Sequence, residues 1–200
     1  VEIEGQERSR IIQLIRLKAV EFKMDADLLL AIAGCESRYK PYAVSFSEKS
    51  TQPDKSIAWG VFQLSKGSLA DLNNQEKSFY SPVSDHFNVM QNIVGGISYF
   101  KWLYEVNYKT SPKRLERSIA GYNAGPGVVP RSGVFDLKDY STQVRQHQVC
   151  ALENRKARKW QNILRPIVVI LILMGAPLIF SIKNIDSEIS FNDSNSTAIL

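Results

Sequence analysis

The chain has 200 residues, a length that suits one domain of ordinary size plus an appendage. Hydrophobic residues make up 44% of it and charged residues 22%, which excludes a disordered or collagen-like chain. The net charge of +5 suits an anionic polymer or a membrane surface, but it is not by itself typical of a nucleic-acid-binding protein. The sequence has no GxxxxGK[ST] or GxGxxG pattern, which argues against a nucleotide-dependent enzyme.

Cysteine and histidine are scarce. Cys35 and Cys150 are the two cysteines, and His86 and His147 are the two histidines. We therefore expect no disulfide framework, no metal site and no cofactor.

The first part of the chain predicts two helices. Apolar residues recur at helical spacing over residues 11–22. Asp25 is a suitable N-cap for a second helix through the sequence DLLLAIAGCES, whose apolar stripe includes Leu28 and Cys35. Pro41 is expected to end that helix.

The middle of the chain predicts a loop, a short apolar segment and three more helices. Residues 47–56 are polar and rich in turn formers, and WGVFQL after them suits a small strand or a buried turn. Helices are expected over residues 88–104, after the N-cap and first-turn pair Ser111-Pro112, and over residues 143–160. The predicted fold is mainly α with little β.

The C-terminal part contrasts with the rest. Residues 166–182 carry no charge and would extend about 25 Å as a helix, which predicts one transmembrane helix in contact with a lipid membrane. A basic juxtamembrane helix over residues 151–165 precedes it, and a polar tail over residues 183–200 follows. The remainder divides into an N-terminal segment of residues 1–8 and a domain of residues 9–150.

Five short patterns occur in a characteristic order. They are Glu36-Ser37, GVFQLS at 60–65, NIVGG at 92–96, GYNAGPGVV at 121–129, and the spaced pair Tyr140 and Val144. This order resembles the catalytic domain of the lytic transglycosylases, lysozyme-like enzymes of the Slt type, over roughly residues 9–150. The resemblance implies a lysozyme-like fold and a lyase that degrades peptidoglycan in the cell wall.

The resemblance also implies roles for the acidic centre. Glu36 would be the catalytic acid and base, Ser37 would orient it, and Tyr122 would point its hydroxyl towards it. Cleavage of a glycosidic bond does need a carboxylic acid to protonate the leaving oxygen. A helix C-terminus disfavours a negative charge, so a carboxylate placed there more often marks function than stability.

Four further residues would bind the substrate by the same resemblance. Gln63 would face the sugar cleft, Phe62 would form an apolar wall where the family usually has Met, and Asn123 would shape the turn after a helix. Tyr140 belongs to the closing element of the family pattern. Gly121 stands where the family commonly has Ala.

The implied reaction cleaves the MurNAc–GlcNAc β-1,4 bond with help from the substrate's N-acetyl group and leaves a 1,6-anhydro end. Water is not consumed, so a second carboxylate is not required. Glu48, Asp54 and Asp71 are the candidates for a second acid, and none matches a family position. Peptidoglycan strands are the expected partner, with envelope or virion assembly proteins as further ones and no nucleic acid.

Three other functions compete with this one. A lysozyme-type hydrolase would need an aspartate that holds a water across the cleft. A cysteine peptidase or amidase would use Cys35 with His86 or His147, although a cysteine in an apolar helix stripe is usually a core residue. A glycan-binding membrane assembly protein would need no catalysis.

The expected location rests on conflicting signals. The N-terminal residues VEIEGQERSR have no apolar core, so no secretory signal is recognised, and the basic flank of residues 155–165 favours a cytoplasmic domain. An enzyme that degrades peptidoglycan must lie on the opposite, periplasmic side of the membrane. The two predicted locations are a single-pass protein of the bacterial inner membrane facing the periplasm and a phage virion membrane.

Overall fold

The computed structural model describes residues 2–46, 57–73 and 88–173 of the chain. Its helices are α1 (Glu2–Phe22), α2 (Ala26–Ser37), α3 (Lys66–Asn73), α4 (Val89–Trp102), α5 (Arg114–Ala124) and α6 (Thr142–Leu173). Its strands are β1 (Val44–Phe46), β2 (Ile57–Trp59) and β3 (Leu64–Ser65). The mainly helical prediction with little sheet is therefore confirmed. Because α1 begins at Glu2, the expected boundary between residues 8 and 9 lies inside a helix.

The strands form one antiparallel sheet in the order β1-β2-β3. Val44 pairs with Trp59, and Ala58 pairs with Ser65. The short apolar segment WGVFQL thus supplies the end of β2, a four-residue turn at 60–63, and the start of β3. This turn contacts the end of α2 through Ser37.

Helix α2 is the centre of the core. Every residue from 28 to 33 is buried, so the helix is covered on all sides and not only along the predicted stripe. Its sequence LLLAIA allows this because it contains no polar side chain. The predicted face of α1 is also confirmed, with Ile11, Ile15 and Ala19 buried.

Asp25 is the N-cap of α2, as predicted. Its Oδ1 accepts hydrogen bonds from the backbone N–H groups of Asp27 and Leu28 at 3.0 and 3.2 Å. Its other oxygen accepts from Arg155 of α6 at 2.7 Å. Arg158 donates to the hydroxyl of Tyr39 in the same way. The segment predicted to be a basic juxtamembrane helix therefore contributes two arginines to contacts with the domain.

The Asp25–Arg155 contact makes stability depend on pH. Burial acts to raise the pKa of Asp25, but the bonds from Arg155 and Leu28 and the nearby charges outweigh it and hold the pKa below its ordinary value. A lowered carboxyl pKa stabilises the fold above about pH 4 and ceases to do so as the pH falls through the folded-state value.

We expect Asp25→Asn to unfold more easily than the wild type at pH 7, by up to about 1 kcal/mol, because asparagine keeps the cap but loses the ion pair. The difference should shrink as the pH falls below about 4. Thermal unfolding from pH 3 to pH 7 measures both, and a difference that stays constant with pH would contradict the assignment.

The start of α5 differs from the prediction. Lys113, not Ser111, is the N-cap, in a left-handed conformation with φ of 51° and no side-chain cap bond. The helix therefore begins at Arg114, after the Ser111-Pro112 pair. Buried Arg117 donates to the carbonyls of Pro112, Pro130 and Gly133, which fixes the chain that follows α5 against this helix.

The prediction of a membrane-spanning helix over residues 166–182 is wrong. None of the helices in the described part of the chain is both long enough and apolar enough to cross a bilayer. Residues 174–182 and the predicted tail of residues 183–200 lie outside the described residues. The chain divides into compact units of residues 1–159 and 160–200.

Candidate active site

Glu36 is the penultimate residue of α2. The helix runs out of the apolar core at this point, and the carboxylate side chain is only 13% exposed. The environment is thus a border between packed side chains and solvent. A carboxyl group in such a place is suited to exchange a proton with a bound substrate.

The backbone after Glu36 turns sharply. Arg38 and Tyr39 have positive φ values of 55° and 66°, so α2 ends at Ser37, four residues before Pro41. Buried Tyr39 fixes this turn because its hydroxyl donates to the Leu30 carbonyl at 2.8 Å. Two consecutive non-glycine residues with positive φ are costly, and such strain clusters at functional sites.

Three helices bind the turn at 60–63. The Ser37 hydroxyl donates to the Val61 carbonyl at 2.7 Å, and the Tyr122 hydroxyl donates to the Phe62 carbonyl at 2.8 Å. The Phe62 N–H donates to Oδ1 of Asn92 at 2.8 Å. Ser37 and Tyr122 were predicted to support Glu36. In the structure, the hydroxyl groups of both residues donate hydrogen bonds to this turn.

Asn92 is a site-building residue to which the sequence analysis assigned no role. It is 1% exposed, and its Nδ2 also donates to the Trp59 carbonyl at 2.9 Å. The side-chain amide of Asn92 thus forms hydrogen bonds with the Trp59 carbonyl before Gly60 and with the Phe62 N–H after it. The NIVGG pattern contains Asn92, but spacing along the chain does not reveal that its partners lie 30 and 33 residues away.

We expect Asn92→Asp to lower the free energy of unfolding by about 2–4 kcal/mol, because the carboxylate cannot donate to Trp59 and carries a buried charge. Urea denaturation measures this. Asn88→Asp is the matched control, since the exposed Asn88 only accepts from the Gln91 N–H at the start of α4 and aspartate caps equally well. Equal losses in the two variants would contradict the role of Asn92.

Phe62 was expected to form an apolar wall of the sugar cleft, and its contact with substrate stays a prediction. Its side chain is fully buried, at 0% exposed. The ring packs on α4 where Gly96 has no side chain, and a Cβ built there would lie 2.2 Å from Cγ of Phe62. The absence of a Cβ at Gly96 leaves room for the Phe62 ring in the core, and the backbone N–H and carbonyl of Phe62 form hydrogen bonds with Asn92 and Tyr122.

Gln63 has an unusual conformation. Its φ is +46°, and its Nε2 donates to the carbonyls of Ala43 and Gly60 at 3.1 and 2.8 Å. The amide nitrogen therefore stabilises the turn from within. Sugar contact by Gln63 stays a prediction.

Tyr122 joins the turn to an aromatic cluster. Its ring packs against Tyr99 and Phe100 of α4 at centroid distances of 5.4 and 6.1 Å. Burial raises the pKa of Tyr122 well above its ordinary value, and the charge of Glu36 raises it further. Tyr122 is thus a neutral donor close to Glu36.

Two other predicted residues lie near the end of α5 and the start of α6. Asn123 is half-buried in the last turn of α5, and Tyr140 packs against Phe135 at 5.3 Å. Their substrate contacts stay predictions. Packing explains why residue 121 is glycine. A Cβ there would lie 2.7 Å from the hydroxyl oxygen of Tyr108, and this hydroxyl donates to the Val129 carbonyl.

His147 of α6 lies directly beside Glu36. Its Nε2 is 2.8 Å from Oε1 of Glu36, and its ring stacks on Tyr122 with an interplanar angle of 7°. The sequence suggests His147 as a partner for Cys35 in a peptidase and not as a neighbour of Glu36. The contact joins residues 111 positions apart, between the end of α2 and the start of α6.

Cys35 and Cys150 form one disulfide bond between α2 and α6, a pairing that was not predicted when the sequence was expected to have no disulfide framework. Their Cα atoms lie 6.1 Å apart, within the range that disulfides require. Both cysteines of the chain are thereby paired. A cysteine peptidase or amidase is excluded, since it would need a free thiolate.

Asp71 is the candidate for a second acid that lies among the described residues. Asp71 of α3 accepts a hydrogen bond from Tyr99 at 3.3 Å, and burial raises its pKa. Glu48, Asp54 and His86 lie outside the described residues. Glu36 is therefore the described carboxylate around which the predicted motifs assemble.

These helices, this turn and this acid define a lysozyme-like transglycosylase domain. The family model described as "Transglycosylase SLT domain" matches residues 13–134. Because the match covers more than half of the chain, the protein belongs to this family.

Three curated relatives are similar to it, each named "Membrane-bound lytic murein transglycosylase C". The protein of Photorhabdus laumondii is 29% identical over an alignment of 134 residues that covers 64% of this chain and 35% of the relative. That of Histophilus somni strain 2336 is 31% identical over 134 residues, or 61% and 32%. That of Mannheimia succiniciproducens is 28% identical over 133 residues, or 64% and 34%. The chain spans about a third of the length of these relatives.

Proposed function

We propose that the protein is a peptidoglycan lytic transglycosylase with Glu36 as its acid and base. The observation that carries the proposal is the position of Glu36, a largely buried carboxylate at the end of α2, next to Ser37, which donates to the Val61 carbonyl of the turn at 60–63. Membership of the transglycosylase family and the names of the relatives support the same activity.

The chemistry uses one carboxyl group twice. Glu36 donates its proton to the β-1,4 oxygen as the bond between MurNAc C1 and that oxygen breaks, and the substrate's N-acetyl group stabilises the charge at C1. The resulting carboxylate accepts the proton of the MurNAc C6 hydroxyl, whose oxygen bonds to C1. The products are a free GlcNAc hydroxyl and a 1,6-anhydro end, and Glu36 recovers its proton.

Mass spectrometry of the product ends tests the proposal. The full chain is incubated with purified peptidoglycan, and anhydro-muropeptides are the expected products. Products with reducing ends, heavier by one water, would show that the protein is a hydrolase and not a transglycosylase. Absence of cleavage by folded protein would leave a glycan-binding protein as the explanation.

We also propose that the domain works in the cell envelope. The disulfide between Cys35 and Cys150 supports this, because structural disulfides form and persist in oxidising compartments such as the periplasm. The relatives named membrane-bound agree with it. Envelope or virion assembly proteins as partners stay a prediction.

A further inference from the structure

Three arginines of α1 and α6 surround one buried tyrosine. The guanidinium carbon of Arg8 lies 5.4 Å from the centre of the Tyr39 ring, and that of Arg158 lies 5.8 Å from it. Arg158 also donates to the Tyr39 hydroxyl. Burial raises the pKa of Tyr39, and the charges of Arg158, Arg8 and Arg16 oppose this effect, so Arg16 is also close to the hydroxyl. We call Arg8, Arg16 and Arg158 the arginine cluster.

The arginine cluster has no acidic partner in the described ranges of the chain. Asp25, the acid at the start of α2, is occupied by Arg155 and Lys159. The other ion pairs of these ranges also leave out all three arginines. Like charges held around one ring repel each other. An anion bound among them would therefore be favoured, because it removes this repulsion.

The chemistry of the guanidinium group defines the anion that fits. A guanidinium has five N–H donors in a planar fork, which suits the two oxygens of a carboxylate. Arg158 uses one of these donors on Tyr39. Arg8 and Arg16 are exposed and Arg158 is half-buried, so an anion can reach the arginine cluster from solvent. The buried ring of Tyr39 holds two of the guanidinium groups in place through cation–π contacts.

The arginine cluster lies on the side of α6 that also reaches Glu36. Arg158 follows His147 by eleven residues, which is three helical turns, so the two side chains lie on the same side of α6 and about 16 Å apart along its axis. His147 contacts Glu36 at 2.8 Å. Asn154 lies between them on this side, where its Nδ2 is 3.4 Å from Sγ of Cys35.

Peptidoglycan carries carboxylates at a matching distance. Its peptide stems are attached to MurNAc, the sugar whose bond Glu36 is proposed to break, and they have free carboxyl groups. An extended stem of four or five residues spans roughly 13–18 Å, which matches the distance along α6 between the Glu36 contact and Arg158. An anionic lipid headgroup has the same charge but no covalent link to the sugar at Glu36. The distance therefore favours the peptide stem.

We propose that the arginine cluster binds the carboxylates of a peptide stem while Glu36 acts on the MurNAc that carries it. This inference rests on the proposed function, and it makes the domain selective for glycan strands that bear peptides. Arg8 and Arg158 both lie outside residues 13–134, which the family model matches. The peptide site is therefore a property of this chain that the family match does not imply.

The test compares two substrates, purified peptidoglycan and the same material after an amidase has removed its peptides. The full-chain wild type should release 1,6-anhydro ends faster from the intact material. In the double variant Arg8→Gln, Arg158→Gln, the ratio of the rate on intact to the rate on stripped material should fall at least about fivefold, because two charge-assisted contacts are lost. Glutamine removes the charge and keeps an N–H donor.

The double variant Arg10→Gln, Lys156→Gln is the matched control. It removes two charges from the same two helices, and both residues are exposed. Each lies two positions from a member of the arginine cluster and hence on the opposite side of its helix. The control should keep the wild-type ratio. An equal fall in both double variants would show a general attraction of a basic protein for an anionic polymer and would overturn the inference.

NMR titration with the amidase-released peptide separates this inference from the proposed function. An unchanged rate ratio in Arg8→Gln, Arg158→Gln would overturn the inference and leave the transglycosylase intact. If the wild type cleaves neither substrate, the proposed function falls and the titration decides. Peptide binding that requires Arg8 and Arg158 would then support the peptide site, and binding that is absent or equal in both double variants would overturn it.

Two further measurements complete the test. Binding to phosphatidylglycerol vesicles that is lost in Arg8→Gln, Arg158→Gln, with an unchanged rate ratio, would assign the arginine cluster to lipid phosphate and overturn the inference. If that double variant does not fold, Arg8→Gln alone replaces it, since it leaves the contact between Arg158 and Tyr39 intact. We then expect a fall in the ratio of at least about twofold, and no fall would overturn the inference.

Discussion

Glu36→Gln should release anhydro-muropeptides from peptidoglycan about 10³- to 10⁴-fold more slowly than the wild type, because glutamine keeps the shape of the side chain but cannot donate or accept the proton. Glu36 serves as both acid and base in the proposed reaction, so one substitution removes both steps. Quantitative mass spectrometry of the soluble products measures the loss. The melting temperature should change by only a few degrees, since a mostly buried contact with His147 is altered and not the core.

Asp71→Asn is the matched carboxylate-to-amide control. Asparagine can still accept the hydrogen bond that Tyr99 donates to Asp71, so folding should be preserved. We expect this variant to keep most of the wild-type activity, because the proposed reaction needs no second carboxylate. Retention of a tenth or more of the activity by Glu36→Gln would contradict the role of Glu36, and equal losses in both variants would favour a two-carboxylate hydrolase.

The double substitution Cys35→Ser, Cys150→Ser should lower the free energy of unfolding by about 4–5 kcal/mol. The disulfide closes a loop with a sequence separation of 115 residues, and long loops gain most from a cross-link that restricts the unfolded chain. A loss of this size corresponds to a fall in melting temperature of roughly 10–20 °C. Differential scanning calorimetry under oxidising conditions measures it.

Reduction provides the control for this prediction. Dithiothreitol should lower the melting temperature of the wild type and leave that of the double variant unchanged, because the variant has no other cysteine. The activity of the variant, measured below its melting temperature, should also fall, since the disulfide lies beside the Glu36–His147 pair. Identical melting of oxidised and reduced wild type would contradict the disulfide.

Several predictions from sequence were right because their causes are local. The Asp25 cap depends on side-chain and backbone atoms two and three residues apart, and the periodicity of α1 and α4 depends on neighbouring turns. The start of α5 was wrong although it is local, because Lys113 adopts a left-handed conformation that the Ser111-Pro112 pair does not reveal. The membrane-spanning prediction treated residues 166–182 as a unit, whereas no helix of the described part of the chain is long and apolar enough to cross a bilayer.

By itself, the sequence determined the helical class, the N-cap of α2 and the motif order that points to Glu36. Each of these follows from residue types at short spacing. The tertiary structure alone decided which distant residues meet Glu36. It paired Cys35 with Cys150, brought His147 to the carboxylate and placed Phe62 in the core against Gly96. Such contacts are chosen by the packing of whole helices around the core, and no local pattern in the chain encodes them.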